Sequence, residues 1–90
     1  MHRVEFHRNA EKALKRLPTD RRRQILEAVR ELANTPDPTT HRQVKAMIGN
    51  WKGQYRLRVG EYRVIFKLIG DDETSLLIYV TNVGPRGGIY

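Results

Sequence analysis

The sequence lacks cysteine, and it also lacks any long apolar run. Without cysteine, disulfide bonds, thiolate metal sites and cysteine nucleophiles are excluded, which is typical of proteins from a reducing compartment. No apolar stretch reaches the ~18 residues of a membrane span. Residues 1–6 resemble a strand rather than the apolar segment of a signal peptide. We therefore expect a cytoplasmic protein with no membrane partner.

Acidic residues are few relative to basic ones. The 90 residues include 17 Lys or Arg and 10 Asp or Glu, which gives a net charge of +7. A small domain with this excess attracts polyanions, and nucleic acid is the leading candidate. An acidic protein partner is the alternative. His2, His7 and His41 are scattered, so we expect no metal site, and the absence of a glycine-rich phosphate loop indicates no nucleotide cofactor.

The N-terminal half of the chain predicts one short strand and two helices. After the strand, Asn9 caps a helix whose apolar stripe ends at Pro18. Thr19 or Asp20 caps a second helix, which stops where two further prolines follow. Because only two or three residues join them, these amphipathic helices form an antiparallel helical hairpin.

The C-terminal half changes to a period of two. A polar stretch, residues 35–50, holds one irregular turn around Val44–Ile48. The order β-α-α-β-β-β predicts one α+β domain over residues 1–90, with a two-helix hairpin packed on one face of a small, mostly antiparallel sheet. The other face then has no helical layer. The predicted strands are 54–59, 62–69 and Leu76–Val83, with a turn at Gly70–Glu73 and the last strand apolar enough to be central.

The strands on either side of Gly60-Glu61 form a hairpin with two distinct faces. Glycine at the first central position fits a two-residue type II′ turn. That turn places Arg58 opposite Arg63 and Arg56 opposite Ile65. The apolar side chains then share the face toward the helices. The other face carries Gln54, Arg56, Arg58, Arg63 and Lys67.

The polar face of this hairpin carries like charges in close register. Arginines directly opposite on neighbouring strands repel, and no carboxylate alternates with them. The repulsion is explained if the face binds an anion, because guanidinium groups match phosphate bidentately. In the alternative, the acidic residues 71–73 neutralise the arginines and the face is only solvated.

Two further groups of residues extend the basic character. Arg86 follows Gly84-Pro85, where a strand-end loop can aim it back across the sheet. Tyr90 could stack on a base or exchange a proton, and a frayed terminus is its alternative. The run 21–23, three arginines, begins the second helix, where cations oppose the helix dipole. It is a phosphate contact, a docking patch or a solvated face.

These segments resemble the RelE/ParE superfamily of toxins from bacterial type II toxin–antitoxin systems. The strongest piece is residues 51–66, WKGQYRLRVGEYRVIF, which is similar to the hairpin of that superfamily. Ala10–Pro18, AEKALKRLP, resembles its first helix, and Val83–Arg86 with Tyr90 resembles its closing motif. The similarity spans essentially the whole chain.

The resemblance implies a function and a set of site residues. RelE-type members are metal-free endoribonucleases that cut mRNA in the ribosomal A site, through attack of the ribose 2′-OH on the adjacent phosphate. It also implies an antitoxin protein as partner. The implied catalytic residues are Arg56, Arg58, Arg63, Arg86 and Tyr90. We expect additional RNA contacts from Lys45, Lys52, Gln54 and Lys67.

The resemblance leaves the target and one catalytic role open. The best-known ribonuclease has lysines where Arg56 and Arg58 stand. Since arginine effectively never loses its proton, both should act as electrostatic stabilisers, and the general base is undetermined. The ParE branch keeps much of the same hairpin and inhibits DNA gyrase without cutting RNA, which is the alternative function. A nucleic-acid-binding module with neither activity is the third.

Overall fold

The computed structural model describes residues 1–70 and 75–85, which form two helices and five strands. The predicted turn at Gly70–Glu73 and the predicted site residues Arg86 and Tyr90 lie largely or wholly outside this described part. The elements are β1 (Arg3–Phe6), α1 (Arg8–Lys15), α2 (Thr19–Ala33), β2 (Val44–Ala46), β3 (Tyr55–Val59), β4 (Tyr62–Gly70) and β5 (Leu76–Pro85), with 3₁₀ turns at Pro38–Thr40 and Gly49–Trp51.

The five strands form one mixed sheet in the order β1-β5-β4-β3-β2. β1 runs parallel to β5, and every other neighbouring pair is antiparallel. Apolar residues of both helices and of the inward sheet face make a single core, which confirms the predicted α+β class. β5 is an interior strand, as its apolar sequence predicted. Fully buried members of the core are Ala10, Ile25, Leu32, Val64, Phe66, Ile78 and Val80.

One predicted loop contains a strand. The irregular turn expected around Val44–Ile48 is wrong in part, because Val44–Ala46 is β2 and pairs with β3, Val44 opposite Leu57 and Ala46 opposite Tyr55. A segment of three residues is too short to reveal a period of two. It adopts a strand conformation because it pairs with β3. The addition extends the basic face by one strand.

The predicted helix caps are wrong by one or two residues. His7 is the N-cap of α1, since its Nδ1 accepts a hydrogen bond from the Asn9 amide at 3.0 Å. Asn9, the predicted cap, lies inside the helix. Pro18 occupies the N-cap position of α2, so Thr19 is already helical and neither it nor Asp20 caps. α1 ends at Lys15, three residues before the proline expected to end it.

Arg22 joins the two helices. Its Nε donates to the carbonyl of Leu14 at 3.1 Å, and its Nη2 donates to those of Lys15 at 3.3 Å and Leu17 at 3.2 Å. The last carbonyls of a helix have no partner within the helix, and a guanidinium there also complements the helix dipole. Arg22 is therefore a structural cap of α1. Of the three arginines at 21–23, Arg22 therefore has a structural role and not a binding role.

The β3–β4 hairpin has the predicted turn and register. Gly60 has φ 58°, and among the described residues positive φ occurs only at glycines, so Glu61 is not left-handed. This is the pattern of a type II′ turn. Val59 lies opposite Tyr62, and Arg58 lies opposite Arg63. The register that divides apolar from basic residues is thus fixed at the turn.

Within the described part of the chain, no helix combines the length and the hydropathy that crossing a membrane requires.

Candidate nucleic-acid interface

The sheet face away from the helices is built from alternate residues of all five strands. Residues directly opposite on neighbouring strands share a face, so Lys45 of β2, Arg56 of β3, Ile65 of β4 and Asn82 of β5 form one row. The next row joins Arg58, Arg63 and Gly84, and a third joins Lys67, Tyr79 and Glu5. We call this surface the helix-free face. Its cationic side chains among the described residues are Arg3, Lys45, Arg56, Arg58, Arg63 and Lys67, of which Arg3 pairs with Glu5 of the same face.

Three arginines meet on the helix-free face, and we call them the arginine cluster: Arg56, Arg58 and Arg63. Arg58 is exposed, Arg56 is half-buried, and Arg63 is only 8% exposed. Within residues 1–70 and 75–85, neither Arg56 nor Arg58 has a carboxylate within ion-pair distance. The Nε of Arg56 is buried and has no hydrogen-bond partner there. Arg56 and Arg58 therefore retain strong, positioned positive charge.

An apolar side chain lies beneath this charge. Ile65 is fully buried, yet it belongs to the helix-free face and not to the main core cluster. It lies beside Arg56 on one strand and Asn82 on the other. Low-dielectric surroundings strengthen the interaction of a guanidinium with an anion. The arginine cluster can thus hold a phosphate more strongly than the same charges in open solvent could.

A shallow depression adjoins the arginine cluster on the β2 side. It has a volume of about 360 Å³, and Lys45, Trp51, Ile48 and Arg56 contribute to its walls. Ile48 is 86% exposed and Trp51 is half-buried. Lys45 therefore lies next to Arg56, and its predicted RNA contact stays a prediction. Lys52 is exposed in the loop that precedes β3.

A second cavity adjoins the cluster on the β5 side, and we call it the amide cavity. Its volume is about 310 Å³. Two predicted RNA-binding residues, Gln54 and Lys67, line it. The sequence-based prediction missed the others, because they come from the start of α1 and from β5, which are distant in sequence and share no spacing. The lining residues are His7, Asn9, Gln54, Lys67, Tyr79, Thr81 and Asn82.

The structure brings most of the predicted site together. Arg56, Arg58 and Arg63 share one surface with Lys45 and Lys67. Arg86 and Tyr90 lie outside the described residues, so their roles stay predictions. Among the described residues, no group of three His, Asp or Glu side chains could hold a metal ion.

Comparisons with known proteins identify the family. The family model described as the ParE toxin of the type II toxin–antitoxin system parDE matches residues 4–90. RelE1 of Methanocaldococcus jannaschii, a relative named for the RelE toxins, is 30% identical over 87 residues, which cover 97% of this chain and 92% of that protein.

Two solved structures are also similar over almost their full lengths. In the crystal structure of the archaeal RelE–RelB complex from Pyrococcus horikoshii OT3, the matching chain has a TM-score of 0.72 and 32% identity, with 97% of each chain covered. In the RelB–RelE antitoxin–toxin complex from Methanococcus jannaschii, the values are 0.68 and 28%, with 94% of this chain and 93% of that chain covered. The chain therefore belongs to the ParE toxin family and is a RelE-like toxin of a type II toxin–antitoxin system.

Proposed function

We propose that this toxin is a ribosome-dependent mRNA endonuclease that needs no metal ion. The observation that carries the proposal is the arginine cluster on the helix-free face, where Arg58 and Arg63 are directly opposed without a carboxylate beside Arg58. Like charges in this register lower stability. A phosphate group bound between them would remove the repulsion, and it is the group at which RNA is cut.

The proposed reaction is an internal transesterification. The ribose 2′-oxygen forms a bond to the adjacent phosphorus and loses its proton, while the bond from phosphorus to the 5′-oxygen breaks and that oxygen gains a proton. The products are a 2′,3′-cyclic phosphate and a 5′-OH. Charge accumulates on the non-bridging oxygens of the pentavalent phosphate, and fixed guanidinium groups stabilise it there.

The residues take distinct parts in this proposal. Arg63 and Arg86 stabilise the pentavalent phosphate and the leaving oxygen. Arg56 and Arg58 act as electrostatic stabilisers, because arginine keeps its proton at all relevant pH values. Tyr90 stacks on a base or transfers a proton. Contacts to the rest of the RNA strand come from Lys45, Lys52, Gln54 and Lys67.

An antitoxin protein is the proposed partner in the resting state. The two archaeal relatives were solved in complex with RelB. A net charge of +7 favours an acidic partner, and such a partner would suppress activity by covering the helix-free face. Since ribosomes are the proposed target, we expect the toxin in the cytoplasm.

The proposal is tested with purified toxin and ribosomes that carry a defined mRNA. We expect cleavage only when the mRNA is on the ribosome, with 2′,3′-cyclic phosphate and 5′-OH ends. The variant Arg63→Ala should cut about 10²–10³ times more slowly, as is typical when one preorganised charge stabiliser is lost. Arg23→Ala is the matched control, because Arg23 is an exposed arginine of α2.

Two results would contradict the ribonuclease proposal. One is intact mRNA together with blocked supercoiling by DNA gyrase, which would establish the gyrase-inhibitor alternative. The other is cleavage that Arg63→Ala slows no more than Arg23→Ala does. The second result would leave the toxin a nuclease but would move its active site away from the arginine cluster.

A further inference from the structure

We propose that the amide cavity is a nucleobase-binding subsite, which holds a base of the RNA strand whose phosphate lies on the arginine cluster. The inference rests on the proposed function, because that function makes RNA the ligand. It assigns a role to residues that no motif of the sequence marks, among them His7, Tyr79 and Asn82.

A β-bulge creates the cavity. Ile65 pairs with Asn82 and Phe66 pairs with Val80, so Thr81 is an extra residue in β5. Without it, Tyr79 and the residue three positions later would lie on opposite faces of the sheet. The bulge therefore puts Tyr79 and Asn82 on the helix-free face together. Both Val80 and Val83 remain buried in the core.

Hydrogen bonds hold the bulge and one wall of the cavity in place. The Thr81 hydroxyl lies 3.1 Å from Gln54 Oε1 and 3.3 Å from the carbonyl oxygen of Ile65. Because the hydroxyl donates to the amide oxygen of Gln54, the amide nitrogen of that side chain stays available to a ligand. The cavity wall is thus oriented before any ligand binds.

A second wall is aromatic. The rings of His7 and Tyr79 meet edge to face, with centroids 6.3 Å apart and planes at 70°. His7 is itself held in place, because its Nδ1 accepts a hydrogen bond from the backbone N–H of Asn9 at the start of α1. Aromatic rings held in this way offer stacking surfaces to a base, whatever the base is.

The chemistry of the lining suits a base better than a phosphate or a metal ion. Asn9 and Asn82 each carry an amide donor and acceptor, and Gln54 adds an amide donor. Such groups read the hydrogen-bonding edges of bases, and a lysine such as Lys67 complements base acceptors. Among the described residues that line it, none carries a carboxylate. A volume of about 310 Å³ is at the small end for ligand sites, which favours a single ring system.

The cavity lies at a suitable distance from the phosphate site. Asn82, Ile65 and Arg56 occupy one row across three neighbouring strands. Adjacent strands are about 4.8 Å apart, so Asn82 and Arg56 are separated by roughly two strand spacings. Gln54 precedes Arg56 by two residues and lines the cavity. A base and a nearby phosphate of one strand can therefore occupy the two sites together.

The test measures binding and does not depend on cleavage. Fluorescein-labelled hexaadenylate and a hexamer of the same ribose–phosphate backbone without bases are titrated with the toxin, and anisotropy gives both affinities. We expect the wild type to prefer the first by about 5- to 100-fold, the range of one or two stacked bases. Asn82→Ala should lower this ratio at least threefold and leave affinity for the base-free strand unchanged.

Controls separate the subsite from the rest of the molecule. Asn34→Ala, at the exposed end of α2, should keep the wild-type ratio. Tyr79→Leu provides a second cavity variant that should also lower it. Arg58→Ala should weaken both ligands equally, because it alters the phosphate site alone. Thermal unfolding of each variant verifies that the fold is retained.

A wild-type ratio near one would overturn the subsite, as would a ratio that neither Asn82→Ala nor Tyr79→Leu changes. Failure of the proposed function looks different, because ribosome-bound mRNA would stay intact while the base-dependent binding persisted.

Discussion

The two faces of the β3–β4 hairpin are made by alternate residues of the same strands, yet one face is buried in the core and the other carries positive charge. Leu57, Val64 and Phe66 are at most 1% exposed and pack under the helices. Arg56 and Arg58 alternate with them and face away, close to Arg63. The comparison shows that one pair of strands can supply stabilising apolar contacts from one face and charged groups for binding from the other.

Magnitudes explain why the arrangement is tolerated. Full burial of one large apolar side chain contributes about 1.5–3 kcal/mol, and each of the two strands supplies several. Favourable cross-strand pairs contribute about 0.2–1 kcal/mol each, and a like-charge pair directly across two strands is destabilising on that scale. The apolar face therefore outweighs the repulsion between Arg58 and Arg63 several times over, so the hairpin tolerates that repulsion.

The largest predicted effect comes from adjacent residues on opposite faces. Phe66→Ala should lower the free energy of unfolding by about 3–5 kcal/mol, because Phe66 is fully buried and stacks on Tyr55 at 5.7 Å. Lys67→Ala, one position later and exposed, should change it by less than about 0.5 kcal/mol. Urea unfolding measures both. Similar losses in the two variants would break the comparison between the faces.

The turn that sets the register gives the next effect. Gly60→Ala should cost about 1–2 kcal/mol, because φ of 58° is unfavourable for a residue with a Cβ atom. Gly70→Ala is the control, since Gly70 lacks a positive φ and a Cβ there would meet nothing within 4 Å. Urea unfolding again provides the measurement. Equal values for the two glycines would mean that the hairpin accommodates a different turn.

A charge reversal should separate stability from activity. In Arg58→Glu, the new carboxylate would face Arg63 across the strands and replace repulsion with attraction. We expect the free energy of unfolding to rise by about 0.2–1 kcal/mol while RNA binding weakens. Thermal unfolding and hexanucleotide titration test the two halves. A variant that becomes less stable would show that the arginines do not strain the hairpin.

The smallest effect concerns salt. Affinity for single-stranded RNA should fall with ionic strength by about 0.7 log units per log unit of salt for each phosphate contact. Arg58→Ala should reduce that slope by about one such contact. The core variant Ile78→Val should leave the slope unchanged, because Ile78 is buried among the helices. An unaltered slope in Arg58→Ala would place the phosphate elsewhere.

The register and the division of faces could be predicted from the sequence because they depend on local rules. Alternation in β3 and β4 assigns each side chain to a face, and Gly60 selects the turn that aligns the strands. The arginine cluster follows from those two features. Its proximity to Lys45 could not follow, since β2 has only three residues and exists through pairing with β3.

Features that depend on tertiary contacts could not be predicted. The bulge at Thr81 is stabilised by Gln54, which is distant in sequence, and the polar pair Thr81-Asn82 within β5 does not by itself indicate an extra residue. The sequence favours Asn9 as the N-cap of α1 because asparagine is a usual capping residue, but a ring nitrogen of His7 caps the helix. In the sequence, Arg22 is indistinguishable from an exposed surface charge. Only the fold shows that it donates hydrogen bonds to the last carbonyls of α1 and the linker.

The most direct test of the two-face account measures stability and activity in one variant, Arg58→Met, which retains the aliphatic bulk of this exposed side chain but removes the guanidinium. The account predicts that cleavage of ribosome-bound mRNA falls by about 10²–10³, while the urea midpoint stays at or above that of the wild type. Wild-type cleavage, or a loss of activity that only follows a loss of folded protein, would contradict it.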